Sequence, residues 1–378
     1  MNSLGPFWYV LAFILALGPL IFIHELGHYF VGRWFGVKAE TFSIGFGREI
    51  LGWTDKRQTR WKIGWLPLGG YVKFAGDMSP ASTPNDEWLN LPAEERNQTF
   101  QAKPVWQRFL IVLAGPATNF LFAILGFILI FAIMGYPSTT ATVARVMPDS
   151  AAAGAGIQPG DQVVEINGTR IDTFNDLLTY VSLRPEEAMD IVVERGGGRQ
   201  TVSLVSRAET MRDEFGNEAR IGRLGIVPAR PLEAGAGREY LPPHRLVGAA
   251  VDMTFDTVNS MVVALTQVIT GKRSVQELGG PLKIAEVSGQ QASLGLLPFF
   301  WLMLVVSINL GFINLLPIPM LDGGHLLFYA IEGVRRKPIR PEAQEWAFRT
   351  GLFMLLALMI FVSFNDLASF GLFPRLGG

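Results

Sequence analysis

The sequence has no cysteine, which excludes disulfides and thiolate metal sites, so any zinc site must be built from histidine and carboxylate. Histidine is almost as scarce. The 378 residues hold four, His24, His28, His244 and His325. Charge is sparse as well, at 17% of residues against about 25% in ordinary soluble chains. The formal net charge of -1 leaves no basic excess for a nucleic-acid partner. No Lys or Arg precedes Arg33. The first apolar stretch therefore lacks the basic start of a signal peptide and reads as a retained helix with its N-terminus outside.

What the chain has instead is apolar length. Hydrophobic residues make up 49% of it. Four segments approach or exceed the roughly 20 residues a bilayer needs: Leu4 to Ile23, Phe109 to Met134, Leu294 to Leu321 and Trp346 to Phe364. The second and third contain no charged residue. Buried helices of soluble proteins are usually shorter and striped, so four membrane spans are expected. Basic residues from Arg33 to Lys73 follow the first span, and Arg335, Arg336, Lys337 and Arg340 lie between the third and fourth. Both groups then fall on one side, which the positive-inside rule makes cytoplasmic. The polar region from about Pro137 to Leu294 falls outside.

His24-Glu25-Leu26-Gly27-His28 matches H-E-x-x-H. On a helix, positions i and i+4 share a face, so two imidazoles reach one metal while Glu25 stands beside it. The motif falls at the inner end of the first span, where such residues are costly without a purpose. Polar side chains snorkelling to water are the bland alternative. A catalytic zinc site needs a third protein ligand and an open position. Asp322 is the only carboxylate between Leu294 and His325, and the topology brings it to the depth of His24 and His28. Pro317 and Pro319 just before it break the helix. His325 is the rival ligand; His244 lies on the opposite side and is set aside. Such a site implies one zinc ion, with Glu25 as the base that activates its water.

Taken with Gly115-Pro116-Ala117-Thr118-Asn119 and the run Asn314 to Gly323, the motif resembles the site-two-type intramembrane zinc metalloproteases, in particular the bacterial group acting on membrane-anchored anti-sigma factors. The resemblance covers nearly the whole chain. It implies zinc on His24, His28 and Asp322, Glu25 as catalytic base, and Asn309 and Asn314 facing the substrate. Gly69-Gly70-Tyr71 would belong to a membrane-associated β-hairpin whose edge takes an extended substrate; by itself the Gly pair reads as a turn. Further implied are single-span membrane substrates such as anti-sigma factors or signal-peptide remnants, pre-trimmed by another protease, and a place in the bacterial inner membrane.

Residues Thr139 to Pro228 read as a small soluble domain. The stretch Gly156 to Gly168 combines a turn, an alternating strand and an Asn-Gly hairpin signal. Thr173 to Leu183 reads as a capped helix, and strands flank Gly196-Gly197-Gly198. This pattern resembles a PDZ domain in the permuted bacterial arrangement, with Leu224, Gly225 and Ile226 in the loop that would hold a peptide C-terminus. Peptide sensing and simple steric gating are both open.

The expected architecture is thus mainly α, with four transmembrane helices, a membrane-associated β region and one extracytoplasmic PDZ domain. Residues 1–34 carry the first span, 35–104 the β region and a loop, 105–136 the second span and 139–230 the PDZ domain. A linker with amphipathic, interfacial helices occupies 231–293. The third span follows at 294–325, a basic loop at 326–344 and the fourth span at 345–378. Two other functions fit the sequence less well. A catalytically dead tether would not need Glu25 beside both histidines. A transporter would spread polar groups along a path through several helices rather than at one end.

Overall fold

The computed structural model describes residues 6–76, 90–137, 140–212, 218–228, 238–271, 279–337 and 339–369. The chain divides into two units, Met1–Leu125 with Arg273–Gly378, and Gly126–Lys272.

The first unit begins with helix α1 (Pro6–Trp34). It carries the H-E-x-x-H residues well inside its length rather than at a frayed end. Strands β1 (Ala39–Thr54) and β2 (Arg60–Phe74) follow. They pair antiparallel, but each is long enough to fold over. Phe42 is opposite both Val72 and Trp61, and Trp61 is also opposite Trp53, so four strand segments lie side by side in the order 70–74, 39–44, 60–63 and 51–54. Bending needs backbone that side chains disfavour, and Gly45 (φ +83°) and Gly69 (φ +120°) supply it. The rings of Phe42 and Trp61 stack at 4.4 Å. Segment 70–74 has a strand neighbour on one side and is an edge among the described residues.

A helical turn α2 (Ala93–Arg96) leads to α3 (Val105–Met134). Helices α1 and α3 meet at backbone distance: a Cβ on Gly27 would stand 2.3 Å from the Ala114 carbonyl oxygen. Small residues permit such approach where lipid offers no hydrophobic drive. Thr118 Oγ1 donates to the Ile23 carbonyl at 3.1 Å across the same seam. Phe42, Phe74, Phe100, Ile111, Tyr29 and Tyr329 form the buried cluster beneath it.

Among the described residues, the second unit carries twelve short elements and one long helix, with an aliphatic core. In chain order they are β3 (Tyr136–Pro137), β4 (Val143–Val146), α4 (Ala151–Gly154), β5 (Gln162–Ile166), β6 (Thr169–Arg170) and α5 (Phe174–Ser182). Then come β7 (Ala188–Arg195), β8 (Gly198–Val205), β9 (Arg207–Arg212), β10 (Glu218–Arg223), β11 (Ile226–Pro228) and β12 (Arg238–Glu239), and the long helix α6 (Pro243–Ile269). The main sheet runs β6-β5-β7-β8, while β9 pairs with β10 and β4 with β11. Helix α5 starts where the sequence places it, with Thr173 and Asp176 forming a reciprocal capping box. Phe174, Leu177, Ile166, Ile191 and Val193 fill the core. Asp161 is fully buried yet satisfied: Arg195 donates to both its oxygens at 2.6 and 2.7 Å, and Gln158 N–H donates at 2.8 Å. The guanidinium beside it holds this carboxyl below its ordinary value.

The first unit resumes with α7 (Pro281–Leu294), α8 (Leu296–Leu315), α9 (Asp322–Arg335) and α10 (Pro341–Ser369). Asp366 of α10 accepts from the N–H groups of Gly280, Leu282 and Lys283, satisfying donors at the start of α7 that have no partner within the helix. Helix α8 stops at Leu315, at the break expected from Pro317 and Pro319, so the apolar segment ending at Leu321 is not helical to its end. One detail departs from the sequence reading. The first ten residues of the expected basic loop, 326–335, are helical, because α9 starts at Asp322 and runs to Arg335. Among the described residues five helices are long and apolar enough to cross a membrane: α1, α3, α6, α8 and α10. Helix α6 is the least apolar, with mean hydropathy 1.2 against 2.0 to 2.4 for the other four. That is the helix expected to lie at the interface.

Candidate metal centre

Two histidines one helical turn apart need a third group from elsewhere, and the chain must bring it close without filling the space. Helix α3 solves the second problem with Gly115. A Cβ there would stand 2.2 Å from Nε2 of His28 and 2.9 Å from Nε2 of His24. Only glycine leaves the imidazoles their room.

The first problem is solved between α8 and α9. Pro317 and Pro319 cannot continue a helix. Met320 then takes a left-handed φ of +82°, rare for a side chain of its kind, and the chain re-enters helix at Asp322. A Cβ on Gly323 would meet the Leu316 carbonyl oxygen at 2.2 Å, so the turn is as tight as backbone allows. The strained residue lies two positions from Asp322, where local strain of this kind tends to concentrate.

The outcome is a triangle. Nε2 of His24 and Nε2 of His28 are 3.3 Å apart, and Asp322 Oδ2 lies 3.1 Å from the first and 3.6 Å from the second. Ligand atoms about 2.0–2.1 Å from a tetrahedral ion are separated by roughly 3.3–3.4 Å. The donor set also suits zinc in kind: two imidazole nitrogens and a carboxylate. Asp322 Oδ2 is buried with no hydrogen-bond partner, a costly state that a cation relieves. His28 Nδ1 lies 2.9 Å from the Ile111 carbonyl, which can only accept, so the proton sits there and Nε2 keeps its lone pair. The residues fit a zinc ion.

The rival, His325, lines the same cavity, but its ring packs on Phe348 at 4.8 Å and stands outside the triangle. His244 is exposed in the other unit. Glu25 is 8% exposed, lines the cavity and accepts the backbone N–H of Val72 from the edge segment 70–74. Gly70 presses on it, since a Cβ there would lie 3.0 Å from Glu25 Cγ. The cavity holds about 510 Å³, and Tyr71 and Asn314 also border it. Asn309, on α8, is not among its lining residues. In the strand-rich unit, Leu224 is a core side chain and its carbonyl accepts from Ala152. The Gly225 carbonyl accepts from Met147, and Ile226 pairs with Val146.

Sequence reasoning gave no individual role to Asn119. It is fully buried on α3, with its side-chain nitrogen 3.2 Å from His24 Nδ1 and its side-chain oxygen unpartnered. The signal was there, since Asn119 lies one turn beyond Gly115 and so on the same face of α3.

The sequence pattern of peptidase family M50 matches residues 12–358. The chain belongs to that family. Relatives named "Putative zinc metalloprotease" occur in Agrobacterium fabrum, 43% identical with 96% of each chain covered, and in Rhizobium meliloti, 43% identical over 94% of this chain and 95% of that one. The protein named "Metalloprotease MmpA" of Caulobacter vibrioides is 36% identical, with 98% of each chain covered. As an M50 peptidase the chain is a membrane zinc metalloprotease. Among solved structures, the PDZ domain of an SdrC-like protein from Listeria monocytogenes is similar to 25% of this chain and 90% of its own, at 20% identity and a TM-score of 0.19.

Proposed function

We propose that this M50 peptidase is an endopeptidase that cuts single-span membrane proteins within or beside their spans, using one zinc ion held by His24, His28 and Asp322. The observation that carries this reading is the triangle of two imidazole nitrogens and a carboxylate oxygen at the spacing of metal ligands, set in a cavity walled by helices long and apolar enough to cross a bilayer. When bound, zinc polarises a peptide carbonyl and lowers the pKa of water to about 7. Glu25, oriented by the Val72 N–H, takes a proton from the attacking water and returns it to the leaving amine nitrogen. The edge of segment 70–74, which has no strand partner on its outer side among the described residues, offers main-chain pairing near Gly70 and Tyr71 to a substrate drawn out into extended form. Asn314, and more remotely Asn309, position that substrate.

The second imidazole is oriented like the first. A half-turn of the Asn119 amide gives its unpartnered oxygen the Nδ1 proton of His24 and leaves Nε2 free for metal. The strand-rich unit takes a free peptide carboxylate on the backbone of Leu224, Gly225 and Ile226, which suits substrates already trimmed by another protease, such as anti-sigma factors or signal-peptide remnants. The basic residues from Arg33 to Lys73 and from Arg335 to Arg340 support a reading with the metal centre on the cytoplasmic side of a bacterial inner membrane, four spans and the strand-rich unit outside.

The test is cleavage of a tagged single-span membrane substrate in detergent by wild type, by Glu25→Gln, and by wild type with a zinc chelator. Loss of a general base costs about 10²–10⁴-fold. Loss of that order in Glu25→Gln, with zinc content kept, supports the reading. Equal cleavage by Glu25→Gln removes Glu25 as the base and turns attention to tethering.

A further inference from the structure

Away from the metal centre, a second hollow of about 860 Å³ opens between the start of α3 and the end of α9, both in the first unit. This is within the size range of sites that hold small molecules. Trp106, Phe109 and Leu110 form one wall. The other is low, because Gly333 has nothing within 4 Å of where a Cβ would stand, and Val334 beside it is 87% exposed. Such a trough suits one flexible hydrocarbon chain.

Its rim has the opposite character. Arg336, at φ +54°, ends α9, and it borders the hollow together with Lys337; Arg335 precedes them. All three side chains are exposed, and among the described residues no carboxylate pairs with any of them. The one acid in the wall, Glu332, is already engaged: Arg108 donates to it at 2.7 Å and lies 5.0 Å from the Tyr329 ring centre. It therefore does not neutralise the rim. An apolar trough thus borders cations that have no carboxylate partner among the described residues, and the exposed ring of Trp106 lines it too, as expected where hydrocarbon gives way to headgroups.

We propose that this hollow binds one anionic phospholipid, its phosphate on Arg336 and Lys337 and an acyl chain along Trp106, Leu110 and Gly333. A free phosphate would use the cations and leave the trough empty. A zwitterionic lipid would use the trough but set its own cation against the two bases. Only a ligand with an apolar chain and net negative charge satisfies both halves.

The experiment is native mass spectrometry of the full chain in detergent, titrated with phosphatidylglycerol or phosphatidylcholine of equal chain length. Wild type is expected to retain one phosphatidylglycerol and to prefer it clearly over phosphatidylcholine. Each base near an anionic group contributes about five-fold, so Arg336→Gln with Lys337→Gln should weaken retention about 30-fold. Gly333→Leu keeps the cations and fills the trough, and it should also displace the lipid. Arg349→Gln, on an exposed ion pair of α10, is the control and should change nothing. Equal retention of the two lipids overturns the proposal. So does unchanged retention in the double variant, or displacement of the lipid by inorganic phosphate alone. The readout does not involve proteolysis, so it stands or falls apart from the assignment of the metal centre.

Discussion

The two units bury polar groups in opposite ways. In the strand-rich unit, Asp161 sits among aliphatic neighbours with both oxygens bonded, and no described buried side-chain atom there lacks a partner. In the unit with the long helices, Asp322 Oδ2 and Asn119 Oδ1 are buried without one, a few residues' reach from each other around His24. Folding alone gives no reason to keep such atoms, since each costs about 1–3 kcal/mol. A satisfied buried carboxylate is there for the fold. An orphaned one marks a position held ready for something the chain does not itself supply.

Glycine sharpens that contrast with the largest expected effect. Gly115→Ala puts a methyl group on the two imidazole nitrogens, and displacements near 1 Å in a catalytic site cost about 100-fold. Activity should fall at least that far, with zinc content by metal analysis falling in parallel. Gly154→Ala in α4 meets no heavy atom within 4 Å, and its effect on stability should stay within about 0.5 kcal/mol. Comparable losses in both variants would break the comparison.

Asn119 is the next step down. Asn119→Leu removes the group that orients His24 without touching the three donor atoms, and outer partners of this kind are worth about 10–100-fold in metal affinity. Competition with a graded chelator measures it. Asn119→Asp keeps an acceptor for the Nδ1 proton and should hold zinc close to wild type. If both variants bind zinc like wild type while His24→Ala does not, Asn119 is a packing residue and its oxygen is orphaned for another reason.

How much of this was legible beforehand depends on whether a signal is local. The H-E-x-x-H spacing, the lone Asp322 and the proline break are all local, and they named the three groups that converge. Asp322 and His325 stand three residues apart, and the sequence favours Asp322 only as the deeper group in the membrane. What separates them is the turn through Met320 and the ring of Phe348 against His325, neither of which spacing reveals. Thr173 to Leu183 was legible because a capping box is a local pattern. The double pairing of β1 with β2 was not, because each strand folds over at glycines that also read as turns. Leu326 to Arg335 read as loop because its basic end masked a helix that begins four residues earlier, at Asp322. Gly115 and Asn119 stood in a motif, but their purpose depends on another helix lying against them.

The smallest expected effect comes from the satisfied carboxylate. Asp161 is held ionised in the fold by Arg195 and the Gln158 N–H, so its folded pKa lies below that of the unfolded chain. A depressed pKa contributes stability that is fully present above the ordinary carboxylate value of about 4 and is lost as pH falls through the folded value. Hydrogen exchange on the full chain should show amides of β5 and β7, the strands nearest this pair, losing protection below about pH 4. Asp161→Asn should remove that acid dependence and lower protection at neutral pH, because Arg195 then loses its charged partner. Zinc content, read in the same samples at neutral pH, should not change in this variant. Loss of zinc there would mean that the two kinds of buried carboxylate are coupled, and that a satisfied group in one unit also serves the orphaned one in the other.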